Sequence, residues 1–358
     1  MYSASSLTEL TFNFGAHAQI MKDLWAAQTG AVDPTLNNGP AHSYTPGSSA
    51  IYGNGRALWG PYGSGKVACA PLSATKTGIF DSSDSTWSEL DAHGEGSAAF
   101  VDVLQVSEEW LLLVPDSSDY IGWQNLRTGE YIRGAAHGHG NTAYTGGVLC
   151  LRRGRLTAVL VPSAATSPLY VDILNRTIEH STATSITGIN FGGRLMAETG
   201  FVLMQSYYLN VETDTATYAG STQPQGYRPI LLPSRRLITP PFAASRWFTK
   251  DFAFNTTKQS DIWETGNKVR GGAFAPNGDI IGAPYDTDLI PYYNYAANTV
   301  TSGPVITGST MFSGAVLMPN LRILLIPRTV DKFYIYDHLD TTVAVSNSNI
   351  AICGPYFS

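Results

Sequence analysis

The chain has 358 residues, with 22 Lys and Arg against 28 Asp and Glu, and its formal net charge is −6. Its hydrophobic share of 43% excludes a disordered chain, which combines low hydrophobicity with high charge. The acidic balance excludes a dedicated nucleic-acid binder, because such a protein needs many cations to neutralise phosphates.

The N-terminal residues contain no basic stretch followed by an apolar one, so we expect no secretory signal peptide. The longest apolar runs, such as 323–327, are far shorter than the ~20 residues of a membrane-spanning helix, so we expect no membrane insertion. The cysteines Cys69, Cys150 and Cys353 are widely spaced and odd in number. This favours buried thiols over a disulfide framework or a zinc motif.

The N-terminal 56 residues are rich in Ser, Gly, Pro and Asn and lie outside any repeat. We predict an irregular segment at 1–56, a repeat domain at 57–348 and a tail at 349–358. Strand-like runs at 10–14 and 349–353 predict that one or both termini add a strand that closes the repeat domain.

A repeat of about 43 residues follows the N-terminal segment. Each copy holds an apolar strand, a turn, a second apolar strand that ends at a proline or its equivalent, and an aromatic third strand that ends near Asp or Asn. A turn then leads to a fourth strand, which we predict at 341–345 in the last unit. The anchor residues that end the second strand are Pro71, Pro115, Pro162, about Gln205, Pro241, Pro284 and Pro327. Four antiparallel strands in such a period are typical of a β-propeller blade. We therefore predict an all-β, seven-bladed β-propeller with four antiparallel strands per blade, its fourth unit being the least regular because the next anchor follows early.

Two motifs in the first unit are similar to known functional sequences. Gly60–Lys66 satisfies the G-x4-G-K part of a phosphate loop, but Val67 stands where that loop needs Ser or Thr. Ser83–Trp87 is similar to the Asp-box of sialidase-like propellers, but it lacks the glycine and one spacer residue. We predict that both are structural turns.

Five residues in the connections between blades are predicted to bind a partner: His137, His139, Tyr144, Tyr227 and Trp263. Exposed aromatic rings among short polar side chains suit contacts with saccharides or proteins. Packing between blades is the alternative for each. His137 and His139, two residues apart on an extended segment, would point the same way and could share a metal ion. No third ligand is identifiable, so we predict no metal and no cofactor.

Several carboxylates lie in the loops between the second and third strands: Asp116, Asp119, Asp286, Asp288 and Asp331. A pair of carboxylates there would suit a glycosidase. Ordinary solvated loop carboxylates are the alternative, and we predict no catalytic residue.

Three runs in the last unit carry a family resemblance: Ser313–Pro319, Leu324–Pro327 and Tyr334–Asp337. They resemble the F-S-G-x-V-L-x-P, V-P and I-Y-D repeats of propeller proteins encoded by bacteriophages and bacteria. The resemblance covers about 57–345. It implies a structural virion protein, a tail, baseplate or fibre component that serves as a rigid attachment or host-recognition module.

On that interpretation the partners are other virion proteins in multiple copies and a glycan or protein of the host surface. The protein would be made in the host cytoplasm and reside in the virion. Two other classes stay open: a bacterial interaction scaffold without enzymatic activity, and a glycan-processing enzyme with its site on the loop face of the ring.

Overall fold

The computed structural model describes residues 35–38, 52–84, 86–183, 186, 194–196, 201–204, 207–218, 228–232, 236–242, 244–251, 256–263, 268–275, 279–305, 312–318, 322–328 and 334–337. Within these residues, 28 strands form seven antiparallel four-stranded sheets. The predicted all-β propeller with four-stranded antiparallel blades is confirmed.

The first strand among the described residues, β1 (Thr35–Asn38), belongs to the last sheet. Six blades of four consecutive strands follow. Blade 1 comprises β2 (Tyr52–Ala57), β3 (Lys66–Pro71), β4 (Lys76–Asp81) and β5 (Thr86–Ala92). Blade 2 comprises β6 (Phe100–Gln105), β7 (Trp110–Pro115), β8 (Tyr120–Asn125) and β9 (Tyr131–Ala136). Blade 3 comprises β10 (Tyr144–Arg152), β11 (Arg155–Pro162), β12 (Leu169–Asp172) and β13 (Thr177–His180).

The second half of the chain repeats this pattern. Blade 4 comprises β14 (Arg194–Met196), β15 (Phe201–Met204), β16 (Tyr207–Asn210) and β17 (Thr215–Tyr218). Blade 5 comprises β18 (Ile230–Leu232), β19 (Arg236–Thr239), β20 (Phe248–Asp251) and β21 (Thr256–Gln259). Blade 6 comprises β22 (Val269–Phe274), β23 (Asp279–Pro284), β24 (Leu289–Asn294) and β25 (Thr299–Val305).

The seventh sheet, here called the closing sheet, is composite. It joins β26 (Phe312–Leu317), β27 (Ile323–Pro327) and β28 (Tyr334–Asp337) to β1, with Leu36 opposite Tyr336. The prediction of seven blades, each from four consecutive strands, is therefore corrected to six such blades. The reason is that β1 pairs with the open edge of β28, where the sequence had placed a strand at 341–345, outside the described residues.

Each sheet buries its faces against its neighbours, because a single four-stranded sheet cannot bury both faces alone. Leu112 and Trp123 of blade 2 form one cluster with Leu160 of blade 3. Val67 of blade 1 belongs to one cluster with Leu324 of the closing sheet. The apolar faces thus form a series of cores between successive sheets, not one central core.

The first strands of blades 1 and 2 approach each other closely. A Cβ added to Gly53 in β2 would lie 2.4 Å from the carbonyl oxygen of Val101 in β6. Only glycine leaves room for two backbones at that distance. The first strand also carries a bulge, between Phe100 and Asp102 in blade 2 and between Tyr144 and Gly146 in blade 3.

The fourth unit is not the least regular one, contrary to the prediction. Blade 4 has four strands of three or four residues, and blade 5 has strands of the same lengths. The first-unit motifs are turns, as predicted. A single helical turn at Gly60–Gly63 joins the hairpin of β2 and β3. Asp84 Oδ1 accepts the N–H and the hydroxyl of Thr86 at the turn between β4 and β5.

The first blade begins at Tyr52, five residues before the predicted domain boundary, and the predicted tail at 349–358 lies outside the described residues. Among the described residues, no helix has the length and apolar character needed to cross a membrane.

Candidate functional site

One end of the ring is defined by the residues that follow the anchor prolines. The second strand of each unit runs in the same direction, so these residues emerge at the same end. We call them the post-proline ring: Leu72, Asp116, Ser163, Phe242, Tyr285 and Arg328.

The backbone of the post-proline ring is fixed by hydrogen bonds. The N–H groups of Asp116, Ser163 and Tyr285 donate to the carbonyls that precede the first strand of the same blade, at 2.8–2.9 Å. The Ala143 N–H of blade 3 in turn donates to the carbonyl of Asp116 in blade 2, at 2.9 Å. Asp116, Ser163 and Tyr285 are thus held within their blades, and Asp116 is also held to the next blade, while the side chain at this position differs from one sheet to the next.

Phe242, Arg270, Tyr285 and Arg328 form an arginine–aromatic cluster across blade 5, blade 6 and the closing sheet. The Arg270 Cζ lies 4.1 Å from the Tyr285 ring centroid and 5.2 Å from that of Phe242. The Arg328 Cζ lies 5.7 Å from the Tyr285 centroid. The two rings meet edge to face with centroids 5.7 Å apart. All four side chains are half-buried, so the cluster reaches the surface.

A third cation stands beside this cluster. Lys268, two residues before Arg270, donates through Nζ to the backbone carbonyl of Asp286 at 2.6 Å, and its distance to the Asp286 carboxylate is 4.0 Å. The Asp286 side chain is 71% exposed. Solvent therefore screens the charge of the Asp286 carboxylate, and the hydrogen bond to the Asp286 carbonyl fixes the Lys268 ammonium group in place.

The predicted loop carboxylates differ in their surroundings. Asp119, Asp286 and Asp288 are exposed, and Asp331 lies outside the described residues. Asp116 is half-buried, and this burial raises its pKa to about 6, although a 3.5 Å contact from the Ser117 hydroxyl acts in the opposite direction. Asp116 is thus the post-proline residue that changes charge near neutral pH.

His137 is fully buried, and both nitrogens of its ring are occupied. Nε2 donates to the carbonyl of Ser118 at 2.6 Å, and Nδ1 accepts the N–H of His139 at 3.2 Å. Burial lowers the pKa of His137, which keeps the ring neutral. With both nitrogens in use, His137 has no lone pair for a metal ion, and its buried ring cannot form a surface contact.

His93 makes the same arrangement one unit earlier. Its Nε2 donates to the carbonyl of Ala74 at 3.0 Å, and its Nδ1 accepts the N–H of Glu95 at 3.0 Å. His93 and His137 therefore fasten the connection that follows the fourth strand to the loop between the second and third strands. Their equivalent positions in the repeat were the sequence signal for this structural role.

Tyr144 is a core residue. It is the first residue of β10 and lies opposite Pro162, as Phe100 lies opposite Pro115 in blade 2. It is fully buried, and burial raises the pKa of its hydroxyl. The predicted contact role of Tyr144 is therefore replaced by packing between blades.

His139 lies between Tyr144 and His180, with ring centroids 6.0 and 5.2 Å away. Within the described residues, His139 Nε2 and the Tyr144 hydroxyl have no hydrogen-bond partner. The described part of the chain contains no group of three or more His, Cys, Asp or Glu side chains arranged to hold a metal ion.

Of the other two predicted binding residues, the structure describes Trp263, which does not join this group. Trp263 packs on the core between blades 5 and 6, and its Nε1 donates to the Ser302 hydroxyl at 3.3 Å. Tyr227 lies outside the described residues. The structure thus brings together three of the predicted residues, His137, His139 and Tyr144, between blades 2 and 3.

Sequence reasoning missed a polar network between the first strands of the blades. Arg56 of blade 1 donates through Nη2 to Asp102 Oδ2 of blade 2 at 2.8 Å, and the Gly147 N–H of blade 3 donates to the same oxygen at 3.2 Å. Burial would raise the pKa of Asp102, but the guanidiniums of Arg56 and Arg228 and the Val103 N–H together hold it below its ordinary value.

The same network extends to the closing sheet. The buried Arg228 guanidinium donates to the carbonyl of Ser313, and the Ser313 hydroxyl donates to the carbonyl of Gly53 at 2.6 Å. One feature of the sequence indicated this network. Asp102 lies opposite the residue before the anchor proline, and the equivalent residues in blade 3 and the closing sheet are Gly146 and Gly314, so a carboxylate replaces a glycine at this position.

No family model and no curated protein sequence matches this chain. Solved propellers are similar to it in fold. A streptogramin B lyase has a TM-score of 0.63 and 12% identity over 85% of this chain and 98% of the lyase. Virginiamycin B lyase from Staphylococcus aureus has a TM-score of 0.64 and 10% identity over the same shares. Hydrazine synthase of Kuenenia stuttgartiensis has a TM-score of 0.61 and 12% identity over 88% of this chain and 99% of that chain. At these identities the likeness is one of fold.

Proposed function

We propose that this protein is a non-catalytic recognition module that contacts its partner through the post-proline end of the ring. The observation that supports this is the post-proline ring itself. The positions after the anchor prolines present a carboxyl at Asp116, a hydroxyl at Ser163, an aromatic ring at Tyr285 and a guanidinium at Arg328. The backbone N–H groups of the first three are hydrogen-bonded. Binding surfaces are commonly built from variable side chains on such a rigid scaffold.

We further propose that the closing sheet serves as a seventh blade. Its first strand, β26, contacts β22 of blade 6 on one side and β2 of blade 1 on the other. These contacts support a ring that is continuous between the last complete blade and the first.

The biological setting that we propose is the bacteriophage virion, in which the propeller is a structural tail, baseplate or fibre component. The support is the resemblance of the repeat runs in 313–337 to those of phage-encoded propellers. Partners would be other virion proteins in multiple copies and a glycan or protein of the host surface. Several copies on one particle strengthen a weak contact, because later contacts are effectively intramolecular.

Competition for adsorption tests this function. Purified protein is added to host cells before the phage that encodes it, and free particles are counted. We expect the wild-type protein to reduce adsorption and the Phe242→Ala/Tyr285→Ala double variant to reduce it less. Leu174→Ala is the matched control, since Leu174 is 89% exposed and lies in the β12–β13 turn. Equal competition by both variants would contradict recognition through the post-proline end.

A glycan-processing enzyme is the second candidate, and Asp116 is the observation that favours it. A half-buried carboxyl with a pKa of about 6 suits a general acid. Incubation of capsular polysaccharide and lipopolysaccharide with the purified protein tests this. Turnover that is lost in Asp116→Asn but kept in Asp288→Asn would show that the protein is an enzyme and not a recognition module.

The bacterial interaction scaffold is the remaining alternative. It replaces the virion role if tail or baseplate genes are absent from the surrounding genome and adsorption is unaffected.

A further inference from the structure

We propose that the arginine–aromatic cluster is a binding site for the anionic group, carboxylate or phosphate, of an acidic saccharide. This inference rests on the proposed function, because it names the ligand class that the post-proline end recognises. The cluster consists of Arg270, Arg328, Tyr285 and Phe242, and Lys268 lies beside it.

The position of Arg270 prepares its guanidinium for an anion. Its Cζ lies over two rings, 4.1 Å from the Tyr285 centroid and 5.2 Å from that of Phe242. Contact with ring faces restrains a planar guanidinium, whose N–H groups form hydrogen bonds within its own plane. Two of these N–H groups match the two oxygens of a carboxylate or phosphate. The rings therefore remove conformational freedom that ligand binding would otherwise have to remove.

The second guanidinium makes an anion favourable at this place. Arg328 approaches the same Tyr285 ring, with its Cζ 5.7 Å from the centroid, and Lys268 is fixed by its 2.6 Å hydrogen bond to the Asp286 carbonyl. Positive charges held around one ring repel each other, and a bound anion lowers that electrostatic energy. The whole chain carries −6, so the cluster is a local reversal of charge that would attract an anion to this end of the ring.

The apolar parts of the cluster point to a saccharide as the carrier of the charge. Phe242 and Tyr285 are half-buried and meet edge to face at 5.7 Å, so each leaves part of its ring at the surface. Ring surface covers the C–H faces of a sugar, and nearby polar groups meet its hydroxyls. A nucleic acid, by contrast, needs cations spread along a strand, not at one spot.

Calorimetric titration with defined probes tests the site. The probes are a galacturonate oligosaccharide for the carboxylate, a phosphorylated maltoheptaose for the phosphate, maltoheptaose as the neutral saccharide, and a single-stranded DNA oligonucleotide as the nucleic acid. We expect at least one anionic probe to bind, maltoheptaose to bind at least about tenfold more weakly, and the affinity to fall as salt is added. The anionic probe that binds more tightly identifies the group.

Variants assign the binding to the cluster. Arg270→Ala and Arg328→Ala should each weaken the anionic probe about tenfold or more, because each removes charged hydrogen bonds. Tyr285→Leu should weaken it and Tyr285→Phe should not, since the ring is what restrains Arg270. Arg127→Ala is the matched control and should leave the affinity unchanged. The Arg127 side chain is 61% exposed, and its guanidinium lies 3.5 Å from Glu109 in blade 2. Melting temperatures confirm that each variant is folded.

Three results overturn the inference: neutral and anionic probes that bind equally, anion binding that Arg270→Ala and Arg328→Ala leave intact, or a preference for single-stranded DNA over both saccharides. The adsorption assay separates this inference from the proposed function. Loss of competition in Arg270→Ala with no binding of either anionic probe would keep recognition and overturn the ligand class. Anion binding without any competition for adsorption would keep the site and overturn the proposed function.

Discussion

The guanidinium of Arg56 reaches from blade 1 to the carboxylate of Asp102 in blade 2 and donates to it at 2.8 Å. Asp102 is fully buried, and it also accepts the N–H of Gly147 in blade 3 at 3.2 Å. One carboxylate therefore connects three successive blades close to where their first strands converge.

Asp102→Asn should destabilise the fold strongly. The change removes the countercharge of the Arg56 guanidinium, whose side chain is only 11% exposed. Breaking a largely buried ion pair in this way costs about 3–5 kcal/mol. Urea unfolding measures the loss. Arg127→Ala removes an exposed pair with Glu109 and should cost at most about 1 kcal/mol. A loss for Asp102→Asn no larger than that of Arg127→Ala would show that the pair contributes little.

Gly53→Ala should also destabilise, for a steric reason. The new Cβ would lie 2.4 Å from the Val101 carbonyl oxygen, so the backbones of β2 and β6 would have to separate. We expect a loss of about 1–3 kcal/mol in urea unfolding. Gly140→Ala is the control, because no atom lies within 4 Å of a Cβ at that position. Equal stability of the two variants would contradict the close approach.

Asp214 should contribute stability that is lost in acid. It accepts hydrogen bonds from the Tyr170 and Ser181 hydroxyls at 2.6 Å and from the Thr182 N–H and hydroxyl. Burial acts against these bonds, yet they lower its pKa to about 2. A lowered carboxyl pKa stabilises the fold above the unfolded value of 3.8, and the effect disappears as the pH falls from about 4 to 2. Asp214→Asn should therefore cost about 2 kcal/mol at pH 7 and almost nothing at pH 2. A cost that does not change with pH would refute this assignment.

The buried histidines should make stability depend on pH in a range above that of Asp214. Burial lowers the pKa of His93 and His137, so protons bind the unfolded chain more readily, and stability should fall as the pH drops below 6.5. Asp116 acts in the opposite direction, because its raised pKa adds stability as the pH falls through about 6. The difference between wild type and His137→Gln isolates the histidine, since Gln cannot take up the proton.

Chemical unfolding at pH 7.5 and 5.5 measures that difference. Wild type should lose more stability than His137→Gln between the two pH values. Asp119 and His180 lie near His137 and shift its pKa in opposite directions, so neither reverses the sign. An identical pH dependence in both proteins would mean that His137 titrates equally in the folded and unfolded chains.

Leu36→Pro should weaken the closing sheet. Leu36 lies opposite Tyr336 in the antiparallel pairing of β1 with β28, and proline has no N–H to donate to a strand ladder. We expect a lower melting temperature for Leu36→Pro than for Leu36→Val, which keeps the N–H. Equal melting temperatures would show that β1 does not hold the sheet.

The strand pattern could be read from the sequence because repetition supplies the same signal several times. Pro115 and Pro284 end the second strands of blades 2 and 6, and the apolar pattern before each proline marks a buried strand. The composite sheet could not be read, because β1 is only four residues long and pairs with residues about 300 positions away.

The candidate site was harder to predict for a related reason. His137 and Tyr144 have the composition of a binding loop, and burial, which decides their role, depends on the neighbouring blade. Comparing them with His93 and Phe100 one unit earlier would have indicated a structural role. The cluster of Arg270, Tyr285 and Phe242 comes from two blades and has no local motif, so only the fold brings it together.

The pairing of β1 with β28 also determines when the closing sheet can form during translation. The ribosome releases β1 early, but its partner at 334–337 is made about 300 residues later, roughly 15–60 s at ordinary translation rates. Until then the finished blades form an open arc, and the apolar face that Val67 of blade 1 later buries against Leu324 of the closing sheet is exposed. The cell therefore has to protect this protein from aggregation during its production, and slow translation or low temperature would lengthen that period.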